Sequence, residues 1–527
     1  MKLKRIITVG LSSLAIVLSP MNIYADSTVY ATDASGNQYT SIDDAWNAAK
    51  SGTEITMMQD WNLESRLISD ENQTIIINMN GYKIDRNRNG DLCSNGEVIY
   101  LDEGTNLTLN GSEDRKFYFR GYNGSKKLSN VSLTSGGLVT GGASNDGGGI
   151  HMKKGSTLTL NHVAVAGNEY SIDKTDKGNG GGIDMSSDNC TVNLNNSLVE
   201  YNYSSESGGG IQVDGKNGKI SLNNSQVSYN TSYDGGGIYS DCTGTQIELS
   251  NNSSISHNTA TSCGGGIYFE DTDYSIKSVD EDTSKLINQV NSNTASTSGG
   301  GIFVEGESIG SNSGEISGLL FESNVAGSST SHGYGGAIWV AQENCTISNC
   351  YFTNNTATTW GGAIRNTNDD NTIENCEIIN NKAGEEGGGI YCDEEYDITL
   401  SGKVVIKDNK RSGEYSDDLF LQKTWYATAY VKGEVSNDSQ VGIRTGTDGT
   451  TQIGKDISSD CSSCFFLNDS GDYHISYSDG KLYKSNGLTG SIFSDGNGIV
   501  AGCVMGGIVV IGAVFLVLNK KKNQGKA

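Results

Sequence analysis

A Gly-Gly-Gly/Ala-Ile unit recurs through the middle of the chain, closing at Ile150, Ile183, Ile211, Ile238, Ile267, Ile302, Ile338, Ile364 and Ile390, at intervals of 26 to 36 residues. A second element keeps step with it, an apolar residue followed three positions later by asparagine. It reads Val165 with Asn168, Val199 with Asn202, Val227 with Asn230, Ile255 with Asn258 and Val290 with Asn293, then Phe321 with Asn324, Phe352 with Asn355, Ile378 with Asn381 and Ile406 with Asn409. Short alternating runs such as "TLTLN" (157–161), "TVNLN" (191–195) and "KISLN" (219–223) lie between the two. Each period thus holds about three short strands.

Strands this short and this evenly spaced, with no helical periodicity, cannot pair as hairpins inside one period. They pair with the same strand of the next period, and coils stacked about 4.8 Å apart make a parallel β-helix. A leucine-rich horseshoe lacks its consensus and helical half here, and a propeller blade needs a period near 40 residues or more. The glycines are expected at a sharp corner, where φ > 0 and close backbone stacking are required. The asparagine is expected at another corner, tolerating the left-handed conformation and bonding to the identical amide one coil away.

At these residues the chain resembles the right-handed parallel β-helix of pectin-lyase-like proteins and, in particular, the repeats of chlamydial polymorphic outer membrane proteins, which pair GGA(I/L/V) with FxxN. Gly335, Gly336, Ala337 and Ile338 follow "FESN" (321–324), and Gly361, Gly362, Ala363 and Ile364 follow "FTNN" (352–355); the other copies carry GGGI and Ile or Val for Phe. The resemblance implies a surface-exposed, adhesin-like role. That family ends in an outer-membrane β-barrel. Here residues 498–518 form an apolar run followed by Lys520, Lys521 and Lys522, long enough for one C-terminal transmembrane helix. A cell of the Gram-positive type, with one membrane and an exposed wall, suits that ending.

The rest of the chain divides around the repeats. Residues 1–25, with Lys2, Lys4 and Arg5 before an apolar run, read as a signal peptide. Residues 26–52 are an N-terminal cap in which Ser41 and Asp44 mark the start of a helix with Ile42, Ala45, Trp46 and Ala49 on one face. Irregular coils fill 53–146, regular repeats 147–410, and further coils or a β-cap 411–485. A stalk spans 486–497, the membrane helix 498–518, and a cytoplasmic tail 519–527. The fold class is therefore all-β, a right-handed parallel β-helix solenoid with an N-terminal capping helix and one C-terminal transmembrane helix.

Between signal and tail the chain holds 30 Lys and Arg against 62 Asp and Glu, a formal charge of −32. Nucleic acid and polyanions are poor partners for such a surface. Ten of the eleven cysteines lie outside the apolar run, without a compact disulfide framework, and Cys461 and Cys464 form a lone CxxC with no histidine cluster beside it. Structural pairing or buried thiols is the reading for these residues.

Taking each repeat isoleucine as inward, alternation sets an inward row at Met152, Met185, Val213, Ser240, Phe269, Val304, Val340, Asn366 and Cys392. The outward row reads His151, Asp184, Gln212, Tyr239, Tyr268, Phe303, Trp339, Arg365 and Tyr391, and a second outward row carries Asp214, Asp241, Glu270, Glu305 and Asp393. Aromatic rings stack on sugar faces and carboxylates accept sugar hydroxyls, so Tyr239, Tyr268, Phe303, Trp339, Arg365, Tyr391, Asp214, Asp241, Glu270 and Glu305 are the candidate binding residues. The competing reading is that stacked rings only stabilise the sheet. The acidic row offers Ca²⁺ the oxygens it prefers, though no EF-hand or nonapeptide calcium motif is present; a solvated edge that opposes aggregation is the plainer account.

No catalytic residue stands out. A lyase needs a basic cleft, and Arg365 is the sole basic residue of the outward row; repeated acids such as Asp369 and Asp370 or Asp417 and Asp418 supply carboxylate pairs by chance. The expected role is a surface adhesin that binds a glycan or a surface protein along its strand face. A polysaccharide lyase or glycoside hydrolase on the same fold is the alternative, and a structural spacer the third.

Overall fold

The computed structural model describes residues 28–486 apart from 87–95, 123–127, 145–146, 172–179, 271–272, 283–284, 307–311, 424–427, 447–450 and 469–472. The signal, membrane-helix and tail readings, and the stalk from residue 487 on, fall outside the described residues. Among the described residues no helix is long and apolar enough to cross a membrane.

Parallel pairing runs from coil to coil in strict register. One file of partners passes through Leu67, Ile99, Ile150, Ile183, Ile211, Ile238, Ile267, Ile302, Ile338, Ile364, Ile390, Leu419, Ile443 and Leu467. Beside it run a file through Val165, Val199, Val227, Ile255, Val290, Phe321, Phe352, Ile378 and Ile406, and a file through Leu158, Val192, Ile220, Ile247, Ile276, Ile316, Ile347, Ile373 and Leu400. The chain is a parallel β-helix, and these three files fill one continuous interior. The inward row from Met152 to Cys392 is buried throughout, as alternation requires.

Gly264 and Gly265 show why the triplet is glycine. Gly264 turns at φ +65°, and a Cβ on Gly265 would stand 2.4 Å from the carbonyl oxygen of Gly300 one coil on. No side chain larger than hydrogen fits so close to backbone. The third position is roomier, and Ala337 and Ala363 occupy it in two coils.

The repeat asparagines form a ladder through the interior. The Asn230 amide nitrogen donates to Asn258 Oδ1 at 3.1 Å and to the Val199 carbonyl at 2.8 Å, while its backbone N–H donates to the same Asn258 Oδ1 at 3.0 Å. The pattern continues through Asn293, Asn324, Asn355, Asn381 and Asn409, and Asp418 ends it by accepting the last amide at 3.0 Å. One detail differs from the expectation. The left-handed residue is the one before the asparagine, as at Tyr201, Tyr229, His257, Ser292 and Asn354. That corner turns the chain so that the asparagine side chain points inward.

At the N-terminal end, Ser41 Oγ accepts from the Asp44 N–H and starts a helix over Ile42–Lys50. Its face of Ala45, Trp46 and Ala49 joins the core, and Trp46 Nε1 donates to the Ile68 carbonyl at 2.8 Å. At the other end, Tyr473–Ser478 and Lys481–Asn486 pair antiparallel. Alternation did not foretell a second antiparallel ribbon, Arg115–Gly121 with Ser129–Ser135, which leaves the stack inside the irregular coils. Phe117 and Leu133 seat it on Leu138, Ala164 and Ala166, small apolar residues on the outside of the rod.

Removing one rung takes the acceptor from the Asn230 N–H, one of two acceptors from its amide, and a donor from the Val227 carbonyl, all buried, so Asn258→Ala is expected to cost about 3 kcal/mol or more. Asn106→Ala, at an exposed strand position with ordinary backbone angles, should shift the chemical-denaturation midpoint little. Equal midpoints for the two variants would contradict the ladder's structural role.

Candidate functional site

The outward row lies in a groove, and this corrects the expected exposed ladder. His151, Asp184, Gln212, Tyr239, Tyr268, Phe303, Arg365 and Tyr391 are all buried, and Trp339 is half-buried. The physical reason is the corner that precedes each glycine triplet. Ser207 bridges to Asp234, and Cys263, Ser298, Tyr334, Trp360 and Glu386 bridge in turn along that corner. The Cys263 N–H donates to the Asp234 carboxylate between the two runs, and together they flank the row. The rings also cover one another: Tyr239, Tyr268, Phe303 and Trp339 follow at centroid separations of 5.0, 5.0 and 5.1 Å. Faces committed to neighbouring rings are not free to stack on a sugar.

The polar tips follow an equally regular rule. From Tyr239 on, each outward residue with a donor bonds to the residue two positions beyond its neighbour in the next coil. The Tyr239 hydroxyl donates to Glu270 and that of Tyr268 to Glu305. Trp339 Nε1 donates to Thr367 Oγ1 at 2.8 Å, Arg365 to Asp393 at 2.7 Å, and the Tyr391 hydroxyl to Gln422 at 2.7 Å. Phe303, with nothing to donate, faces Ala341 at that position. Two members of the row before Tyr239 depart from the rule: Asp184 lies against His151 of the preceding coil, and Gln212 turns to Asp214 in its own coil. Asp214, Glu270 and Glu305 are thus engaged by side chains of the rod, while Asp241 is exposed. Among the described residues no three His, Cys, Asp or Glu are arranged to hold a metal ion.

Two parts of the row look catalytic by composition and are structural by geometry. Arg365 is enclosed by Trp339, Tyr334, Trp360 and Tyr391, with its guanidinium carbon 4.4 to 5.9 Å from the four ring centroids. It is a packed cation, held by the rings and by Asp393. Ser186, His151 and Asp184 stand at 3.2 and 2.8 Å in the order of a hydrolase triad. Yet His151 Nδ1 makes no aligned hydrogen bond to the carboxylate, and Ser186 Oγ also lies 3.0 Å from the Met152 carbonyl as a donor. A nucleophile needs an oriented base.

The groove opens at its C-terminal end into a cleft of about 820 Å³. The row continues there as Phe420 and Arg444, in register with Tyr391. Trp360 stacks on Tyr391 at 5.0 Å and 6°, and its Nε1 donates to Glu385 at 3.1 Å. Arg444 binds Asp417 through two nitrogens at 2.9 and 2.8 Å, touches Glu386, and lies 4.3 Å from the Phe420 centroid. The opposite wall is a small turn in which Lys410–Arg411 pairs with Tyr415–Ser416. Tyr415 is 62% exposed, with Arg411 against one face. Lys423, Gln422 and Asn468 add polar lining.

Of the expected site residues, only Tyr391 lines this cleft. Trp360, Phe420 and Arg444 were legible in principle, because the register carried on from Leu419 and Ile443 makes Phe420 and Arg444 outward. The missing glycine triplet before Leu419 hid that continuation. Tyr415 belongs to a turn outside the repeat, and nothing in the periodicity marks it.

A model of the Chlamydia polymorphic membrane protein repeat matches residues 247–270, 349–367 and 375–393. Each match contains one apolar-xx-Asn unit and one Gly-Gly-Gly/Ala-Ile unit, so the chain carries repeats of this kind, and the matched segments are coils of the β-helix. No curated protein and no solved structure matches the chain.

Burial raises the Tyr239 and Tyr391 hydroxyls above the ordinary value of 10.0, with Glu270 adding to the first and Asp393 to the second. A folded value above the unfolded one means that stability is complete below pH 10 and is lost as pH rises past it. Alkaline titration should therefore show part of the phenolate absorbance appearing only together with loss of β-structure, and Tyr239→Phe should reduce that part. Reversible ionisation of every tyrosine near pH 10 in a folded chain would contradict this.

Proposed function

We propose that the protein is a surface-displayed β-helical rod that binds a carbohydrate in the cleft at the C-terminal end of its groove. The observation that carries the reading is the cleft itself. It is concave, it has one ring, Tyr415, open to solvent beside Trp360, and it places Arg411, Lys423, Glu385 and Gln422 around that ring, the mixture of flat apolar surface and directional polar groups that sugars require. The Chlamydia polymorphic membrane protein repeats support a surface location, as do the apolar run at 498–518 and the lysines after it. In this reading residues 1–25 direct export, 498–518 anchor the chain, and the helix over Ile42–Lys50 covers the N-terminal end of the stack against edge pairing.

The buried ladder from Tyr239 to Arg365 then serves as a stiff backing for the cleft. An enzymatic reading gains little here, since Asp417 is held by Arg444 and by the Gly387 N–H, and Glu385 by Trp360. The full chain is expected to bind at least one member of a glycan array. Tyr415→Ala should weaken that binding about tenfold, whereas Asp241→Asn, on the remote acidic row, should leave it unchanged. A blank array, or a hit indifferent to Tyr415, would overturn the reading.

A further inference from the structure

The antiparallel ribbon Arg115–Gly121 and Ser129–Ser135 reverses the charge of the rod it sits on. Residues 115–135 contain Arg115, Lys116, Arg120, Lys126 and Lys127 and no Asp or Glu, in a chain that is otherwise strongly acidic. Lys126 and Lys127 lie outside the described residues, and the surface is defined without them.

Strand alternation sorts the ribbon into two faces. Phe117 and Leu133 point down into the apolar seat on the rod, and Arg115 is occupied, donating to the Gly81 carbonyl at 2.8 Å with its guanidinium over Tyr82. The upper face carries Lys116, Tyr118 and Arg120, paired across the ribbon with Thr134, Ser132 and Asn130. Tyr118 is 74% exposed, the Lys116 ammonium lies 5.3 Å from its centroid, and neither Lys116 nor Arg120 has a carboxylate partner among the described residues. Asp114, at the base of the ribbon, is paired with His162 at 2.7 Å. Tyr118, Phe119, Arg120, Asn130, Val131 and Ser132 frame a depression of about 480 Å³.

A row of rings runs from the ribbon's lower face along the rod. Phe119 meets Tyr201 edge-on at 6.2 Å, Tyr201 stacks on Tyr229 at 5.1 Å, and Tyr229 on His257 at 4.8 Å. These three ring-bearing corners sit at φ of 55° to 56°, the position that later coils give to Ser292, Ser323, Asn354, Asn380 and Asp408. Tyrosine is a costly choice there.

We infer that the ribbon is a second binding surface, which takes an acidic glycan through Lys116, Arg120 and Tyr118. Two cations meet the anionic groups, the open tyrosine ring offers a stacking face, and Thr134, Ser132 and Asn130 supply the hydroxyls and amide that pair with sugar hydroxyls. The overall negative charge does not prevent this. Screening confines each charge to about 8 Å at physiological salt, so a ligand on the ribbon is governed by the ribbon's own cations. A second copy docked ribbon to ribbon is a worse occupant, because it would set Lys116 and Arg120 against the same cations of the other copy at contact distance, where screening does not remove the repulsion. The surface lies several coils from the cleft and does not depend on the cleft's function.

The test uses the full chain and two probes, a heparin-derived hexasaccharide and a galacturonate hexamer, titrated from about 0.05 to about 0.5 M salt. Binding of at least one probe is expected, weakening steeply with salt. Lys116→Gln with Arg120→Gln should lower affinity about tenfold or more, and Tyr118→Ala should lower it as well. All three side chains are on the solvent face, so unchanged circular dichroism and thermal midpoint confirm intact folding. Tyr415→Ala in the cleft should leave this binding untouched. Failure of both probes, equal affinity of wild type and the double glutamine variant, or loss of a dimer in place of loss of glycan binding would each overturn the inference.

Discussion

Every feature of this rod depends on backbone groups of one coil finding partners in the next. Parallel pairing alone would allow a coil to slip along its neighbour, since the repeat strands are only two to six residues long. The buried asparagine ladder opposes this: each amide bridges an equivalent amide above and a carbonyl below, in an interior closed to solvent, so a slipped coil would strand several buried polar groups together. The glycine corners make the same demand sterically, because the carbonyl of the next coil fills the space a Cβ would need. One interaction is thus polar and the other steric, and both enforce the same register.

Strict register has a consequence for the outside of the molecule. Whatever comes after the repeat isoleucine is set against its counterpart at the coil spacing, and rings at that spacing pack on one another, stacked at Tyr239–Tyr268, tilted at Tyr268–Phe303 and edge-on at Phe303–Trp339. Tyr239, Tyr268, Phe303 and Trp339 are therefore spent on stiffening the rod, and Arg365 on its four rings and Asp393. Surface able to meet a ligand arises where register is broken: at the turn through Tyr415, and at the ribbon between Asn110 and Gly136 that leaves the stack. In such a solenoid the repeats build the support and the interruptions carry the chemistry.

The same distinction explains what the sequence could tell. Periodicity reports every residue that must match its neighbour one coil away, so the β-helix, the inward row, the glycine corners and the asparagine ladder were all legible. It says inward or outward, but not whether an outward side chain is covered, which depends on a second file from the preceding corner, Tyr334 and Trp360 among them. That is why Tyr239 and Tyr268 read as exposed and are buried. The left-handed residue fell one position before the expected asparagine because Tyr, His, Ser and Asn share that corner and blur its signal. Phe117 to Val131 and Tyr415 occur once each, and a feature that occurs once leaves no period to read.

Native-state hydrogen exchange on the full chain tests the central claim most directly. If the ladder holds the coils in register, the backbone amides of Asn202, Asn230, Asn258, Asn293, Asn324 and Asn355, each donated to the asparagine of the next coil, should exchange only when coils separate, far more slowly than those of the ribbon Arg115–Gly121. Exchange of the ladder amides as fast as the ribbon's, in a chain that remains folded, would show that the ladder does not carry the stack.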